Sequence, residues 1–290
     1  MSALTANVAI VSDSPNLSFN DVAPVAAAMQ KQVTRDFSPL WNVQATVSAF
    51  DKLENVPVDY WPVILRDDIN APGAAGFHTD KNGQPFSLVQ IDSGWNLTVS
   101  HETLEMLADP FGNRTVAGAP PKQAKFPKNV HLKRVLYLVE VCDPCEADQF
   151  AYTSNGVHVS DFITPQYYDP SQTVAARYSF GGNIQSPHQV LDGGYVSFGD
   201  PKTNHWYQVL VENGKAVTKS LGIIQTNGRS LRETIDDLSR KSHDNNRFQA
   251  RTAKTMKAAA GAAANGGTYA ESSAARAKEL RQKIDSLFKP

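Results

Sequence analysis

The run Ser100-His101-Glu102-Thr103-Leu104-Glu105-Met106-Leu107-Ala108-Asp109-Pro110 brings one imidazole and three carboxylates into a short apolar stretch. Its spacing predicts a helix over about 98–108. At about 100° per residue, His101, Glu105, Asp109 and Glu102 fall within one quarter of the helical circumference, and Leu104, Leu107 and Ala108 fall nearly opposite. Three carboxylates beside an imidazole repel one another when ionised, and a cation is the simplest remedy. A His and an acid four residues apart reach one ion, as the two histidines of H-E-x-x-H do in zinc peptidases. Glu102, next to the first ligand, then stands where a base takes a proton from metal-activated water. Asp109 precedes Pro110, which ends the helix there. The competing reading is a surface helix with an acidic, solvated face.

Upstream, Asn7–Val11 reads as a short strand, and Asp21 or Asn20 as the cap of a helix carrying Val22, Val25, Ala26, Met29 and Val33 and ending near 37–39. Val43–Phe50, Trp61–Leu65 and Phe86–Ile91 read as further strands, with Gly73–Gly76 a loop. His78 falls in that loop before the fourth strand, placed to line a cleft or donate to an oxyanion. Downstream, Val135–Val139 is an apolar strand leading into Glu140-Val141-Cys142-Asp143-Pro144-Cys145-Glu146. Catalytic zinc usually takes three protein ligands and leaves a position for water. His101, Glu105 and Glu140, which sits at the strand end, complete that count. Asp143, Glu146 and Asp109 are alternative ligands or acceptors that orient a ligand from behind. Residues 150–225 are rich in turns, aromatics and short strands. The fold class is therefore α+β: a mixed sheet with one chemically loaded helix, a β-rich second half, and a helical C-terminal extension.

The strings S-H-E-x-x-E-x-x-x-D-P at 100–110 and E-V-C-D-P-C-E at 140–146 resemble those of a group of mostly uncharacterised bacterial and phage proteins regarded as zincin-like zinc metallopeptidases. The resemblance spans roughly residues 1–170 and includes Val159-Ser160-Asp161-Phe162 and Tyr167-Tyr168-Asp169-Pro170. It implies a zincin-like core, zinc held by His101 and Glu105, a peptide or protein substrate, and Glu102 as general base. The departure from H-E-x-x-H gives a harder ligand set than two histidines and a glutamate, one for which Mn²⁺, Ca²⁺ and Fe²⁺ compete with Zn²⁺. The rival expectation is a non-catalytic, metal-stabilised structural or assembly protein of a phage or secreted particle.

The remaining features bound the function without choosing it. The chain has 290 residues, 41% of them hydrophobic, with 28 Lys+Arg against 29 Asp+Glu. That composition excludes disorder throughout, and no apolar run approaches a membrane span. The N-terminal residues lack the basic and apolar regions of a secretion signal, so the expected location is the cytoplasm, with release by lysis or another route as the alternative. Residues 229–290 carry 13 Lys+Arg against 7 Asp+Glu. Acids interleave with the bases there, so the stretch reads as solvated helix rather than a nucleic-acid tail. A helix over about 229–260, a break at Asn265-Gly266-Gly267 and a second helix over about 270–288 are expected. In the second, Ala277, Leu280, Ile284, Leu287 and Phe288 form a stripe suited to docking or self-association. A boundary at 228/229 thus makes the tail an appendage, apart from the seat of function. Cys142 and Cys145 read as reduced, partly buried thiols, with a local disulfide as the alternative. His131, His158, His188, His205 and His243 show no ligand spacing. His158 and Tyr152 are lesser candidates for transition-state stabilisation.

Overall fold

The computed structural model describes residues 4–168, 176–243, 278 and 281–282. Its first half is built on a mixed sheet. Strands β1 (Leu4–Ser12), β2 (Val43–Phe50), β3 (Tyr60–Arg66), β4 (Gly76–Lys81) and β5 (Gln84–Gln90) are ordered β2-β1-β3-β5-β4. The first four of that order run parallel, and β4 lies antiparallel to β5 at the edge. A hairpin through Asn82 and Gly83, both at positive φ, joins β4 to β5.

Helix α1 (Phe19–Lys31) crosses from β1 to β2. Its cap is Ser18 rather than Asp21 or Asn20: Asp21 instead reaches back to accept the Ser18 backbone N–H at 2.9 Å. The helix does not stop near 37–39. It widens into a π-turn over Gln32–Phe37, tightens again as α2 (Ser38–Trp41), and ends at Asn42 in the left-handed conformation.

Helix α3 (Trp95–Ala108) holds the acidic motif. It packs on β4 and β5 and against the later hairpin of β8 (Tyr152–Ser154) and β9 (Val157–Val159). Burial extends almost right around it, Glu102 and Glu105 included, which excludes the solvated-face reading.

The second half forms an antiparallel sheet of β6 (Thr115–Gly118), β7 (Val135–Leu138), β10 (Tyr195–Gly199), β11 (His205–Glu212) and β12 (Lys215–Ile223), ordered β12-β11-β10-β7-β6. One apolar cluster runs continuously from Val8 and Ile10 of the first sheet, through Met29, Leu104 and Leu107, to Tyr137, Phe198 and Val209 of the second. The chain is thus α+β, with the motif helix in the shared core.

Helix α4 (Leu231–His243) follows β12. Leu231, Ile235 and Leu238 pack on Leu138, Trp206 and Leu221, covering the outer face of the second sheet. The rest of the expected 229–260 helix, the Gly-rich break and all five residues of the stripe expected in the 270–288 helix lie outside the described residues. Arg281 pairs with Asp13 and Glu54 at the far end of the first sheet. Among the described residues no helix is long and apolar enough to cross a membrane.

Candidate metal centre

Three chain segments converge below α3. Helix α3 supplies His101, Glu102 and Glu105. The stretch after β7 supplies Glu140 and, in the 3₁₀ turn Asp143–Cys145 that continues to Glu146, Asp143. Edge strand β4 supplies His78, which is therefore a strand residue and not part of a loop. The Asn82-Gly83 dipeptide was the sequence signal for that hairpin.

The geometry divides into two lobes that share Glu105. In the first, His101 Nε2 lies 3.2 Å from Glu105 Oε1 and 3.2 Å from Asp143 Oδ1. Ligands about 2.0–2.2 Å from one tetrahedral ion sit roughly 3.3 Å apart, so these spacings suit a shared cation. Glu146 lies beside His101 and Asp143, its carboxylate within 4.8 Å of theirs, and Cys142 adjoins His101 and Glu105 in the same way. The Cys142 backbone N–H also donates to Glu105 Oε1 at 3.2 Å, which fixes that oxygen.

In the second lobe, Glu105 Oε2 and Glu102 Oε2 lie 3.9 and 3.6 Å from His78 Nδ1. His78 Nε2 is 3.0 Å from the Asp109 carbonyl. A carbonyl only accepts, so Nε2 carries a hydrogen, and Nδ1 is the ring nitrogen that faces the carboxylates. A cation already stands here. Arg232 of α4 places Nη2 3.2 Å from Glu105 Oε2 and 3.6 Å from Glu102 Oε2, and Nε 3.1 Å from Glu140 Oε1. Its Nη1 donates to the His78 carbonyl at 3.0 Å. Arg232 is 5% exposed. The reading of the tail as an appendage apart from the site is thus corrected: the first turn of α4 is part of it.

These positions sort the expected ligands. His101, Glu105 and Asp143 come together, with Glu146 adjacent. Glu140 faces Arg232 instead of His101. The Asp109 carboxylate turns away, accepting the backbone N–H groups of Asn113 and Arg114 at 3.1 and 2.7 Å, while its carbonyl orients His78. Tyr152 is committed elsewhere, its hydroxyl donating to Asp36 at 2.9 Å, and His158 is exposed. Cys142 and Cys145 are free and buried.

Electrostatics follow from crowding charge in a dry place. Burial opposes a charged His101, but Glu105 and the contact with Asp143 outweigh it and hold the imidazole well above its usual pKa. Burial likewise opposes an ionised Glu105, yet His101 and Arg232 keep it well below the usual carboxylate range. Glu140 is pushed well above that range by burial, with Arg232 opposing. Burial and the Glu105 charge raise Asp143 to about 7, and burial and the Asp143 charge raise Glu146 to about 8. Three buried ligand-type atoms, His78 Nδ1, Glu102 Oε2 and Glu140 Oε2, have no hydrogen-bond partner among the described residues, whereas Asp143 Oδ1 and Glu140 Oε1 meet His101 and Arg232 as ion pairs. Such orphans are costly in a folded protein, and a bound ion is one remedy. The donor set, one imidazole with carboxylates, fits Zn²⁺ and harder divalent ions.

A cleft of about 520 Å³ opens onto this centre, bordered by Gly76, Asp92, His101, Glu102, Tyr195 and Arg232. Gly76 is required there: a Cβ on it would stand 2.8–3.0 Å from Thr98 and the Glu102 side chain. Compared with protein-family models, curated proteins and solved structures, the chain matches none of them.

Proposed function

We propose that the chain is a metal-dependent hydrolase of zincin-like type that cleaves peptide bonds. The observation that carries this reading is the pairing of His101 Nε2 with Glu105 Oε1 and Asp143 Oδ1, each at 3.2 Å, beside a cleft that Glu102 borders. His101, Glu105 and Asp143 would hold the cation, with Glu146 as a further oxygen donor. Zn²⁺ is the leading occupant, and Mn²⁺, Fe²⁺ and Ca²⁺ are its competitors. Such an ion supplies Lewis-acid polarisation of a carbonyl and lowers the pKa of water. Glu102 accepts the proton of the attacking water and passes it to the leaving amine. The low-dielectric walls around Glu105 and Arg232 keep the charges in place without reorganisation.

The alternative, a non-catalytic ion that only stiffens the protein, predicts a centre closed from solvent. The cleft at His101 and Glu102 favours catalysis. The test is elemental analysis of purified protein followed by digestion of a peptide library, for native chain and Glu102→Gln. One equivalent of metal in both, with cleavage only by the native chain, supports the proposal. Full cleavage by Glu102→Gln, or a native chain that takes up no metal, overturns it.

A further inference from the structure

Glu105 offers its two oxygens to two different cations. Oε1 faces His101, and Oε2 faces Arg232 and His78. Around Arg232, the atoms His78 Nδ1, Glu102 Oε2, Glu105 Oε2 and Glu140 Oε1 form a second donor set of one imidazole nitrogen and three carboxylate oxygens. His78, Glu105 and Glu140 alone bring ligand atoms within 4.8 Å of one another. His78 is 1% exposed, and its Nδ1 is aimed into this space with no hydrogen-bond partner among the described residues. Its other nitrogen is tied to the Asp109 carbonyl, the arrangement that orients a metal-ligating histidine.

We infer that the cluster is a two-cation centre whose second position, lined by His78, Glu102, Glu105 and Glu140, is held by the guanidinium of Arg232 and takes a second divalent cation when that guanidinium is removed. This goes beyond the proposed hydrolytic function and adds a second site to it. In the native chain the arginine keeps the centre mononuclear. It thereby keeps Glu102 available as a base, since a metal in this position would recruit Glu102 as a ligand.

The experiment is equilibrium dialysis of the full chain against Mn²⁺ with metal counted by mass spectrometry. Five proteins are compared: native, Arg232→Gln, Arg232→Gln with His78→Phe, His101→Ala, and Arg232→Gln with His101→Ala. The expected result is one more equivalent in Arg232→Gln than in the native chain. That gain is lost with His78→Phe, and the same gain of one equivalent separates Arg232→Gln with His101→Ala from His101→Ala alone. Persistence of the gain without His101 separates this proposal from the first site, whose failure would lower native uptake without touching the increment. A folded Arg232→Gln with native stoichiometry overturns the inference, as does a native chain that already takes two equivalents. If Arg232→Gln folds only with cation, millimolar Mn²⁺ restores its near-ultraviolet circular dichroism. Failure of that rescue also overturns the inference, because a cation in the lobe replaces the missing charge.

Discussion

Arg232 Nη2 and Glu105 Oε2 meet at 3.2 Å in the buried interior, although 127 residues separate them in the chain. Through this pair the last described helix closes the acidic centre of the first half. It also anchors helix α4 from within, while Leu231, Ile235 and Leu238 hold it from the apolar side.

Breaking one partner of a buried ion pair leaves an uncompensated charge. Arg232→Met in metal-free protein should therefore lose roughly 3–5 kcal/mol of stability. Urea unfolding followed by circular dichroism measures it. A loss under about 1 kcal/mol would mean that the pair is solvated in solution.

Removing the general base should separate binding from turnover. Glu102→Gln is expected to keep the native metal content and lower kcat at least about 100-fold, in line with the usual worth of acid–base assistance. Steady-state kinetics on a cleaved peptide give the ratio.

Acidity should control the centre in a defined direction. The Asp143 and Glu146 carboxyl groups are raised to about 7 and about 8, so in the metal-free fold their contribution is intact at low pH and is lost as pH rises through that window. A cation requires the ionised carboxylates, and it requires His101 to give up its proton. Apparent metal affinity should therefore climb as pH rises through about 7 and about 8, with protons released on binding. Calorimetry in two buffers of different ionisation enthalpy reads that release, and proton uptake would contradict the assignment.

Gly76 should behave as a positioning residue for Glu102. Gly76→Ala puts a methyl group about 2.9 Å from the Glu102 Cγ. Metal content should be unchanged and turnover reduced. Retention of full turnover would show that β4 moves aside at no cost.

Cys142 and Cys145 should be inert in the folded state. Burial holds both thiols well above their ordinary pKa, and nearby carboxylates add to the effect. Iodoacetamide should label neither in native buffer and both in guanidinium, as read by intact mass. Labelling of the native protein would point instead to an exposed redox pair.

Much of the scaffold could be read locally. Val43–Phe50 alternates apolar and polar residues, and the structure buries Val43, Ala45 and Val47 on one face. The motif helix and its end before Pro110 follow from residues within one another's reach. His78 lies in an edge strand because the Asn82-Gly83 turn folds its segment back onto the strand that follows, a pairing that a Gly-rich reading of 73–76 does not show. Glu140 and Asp143 differ by three positions in one acidic turn, and only the path of the chain after β7 decides which of them faces His101.

The sequence by itself determined that one helix carries an imidazole and carboxylates on a common face, because helical periodicity is a property of neighbours. It could not distinguish Arg232 from Arg229 and Arg240. All three stand in the same mixed-charge segment, yet Arg229 and Arg240 pair with Asp237 at the surface while Arg232 points inward. That choice is set by tertiary packing: Leu231, Ile235 and Leu238 lie against the second sheet, which turns residue 232 toward the shared interior. There the low dielectric makes a lone cation costly unless carboxylates meet it, and the carboxylates wait on segments too distant in sequence for any local pattern to show.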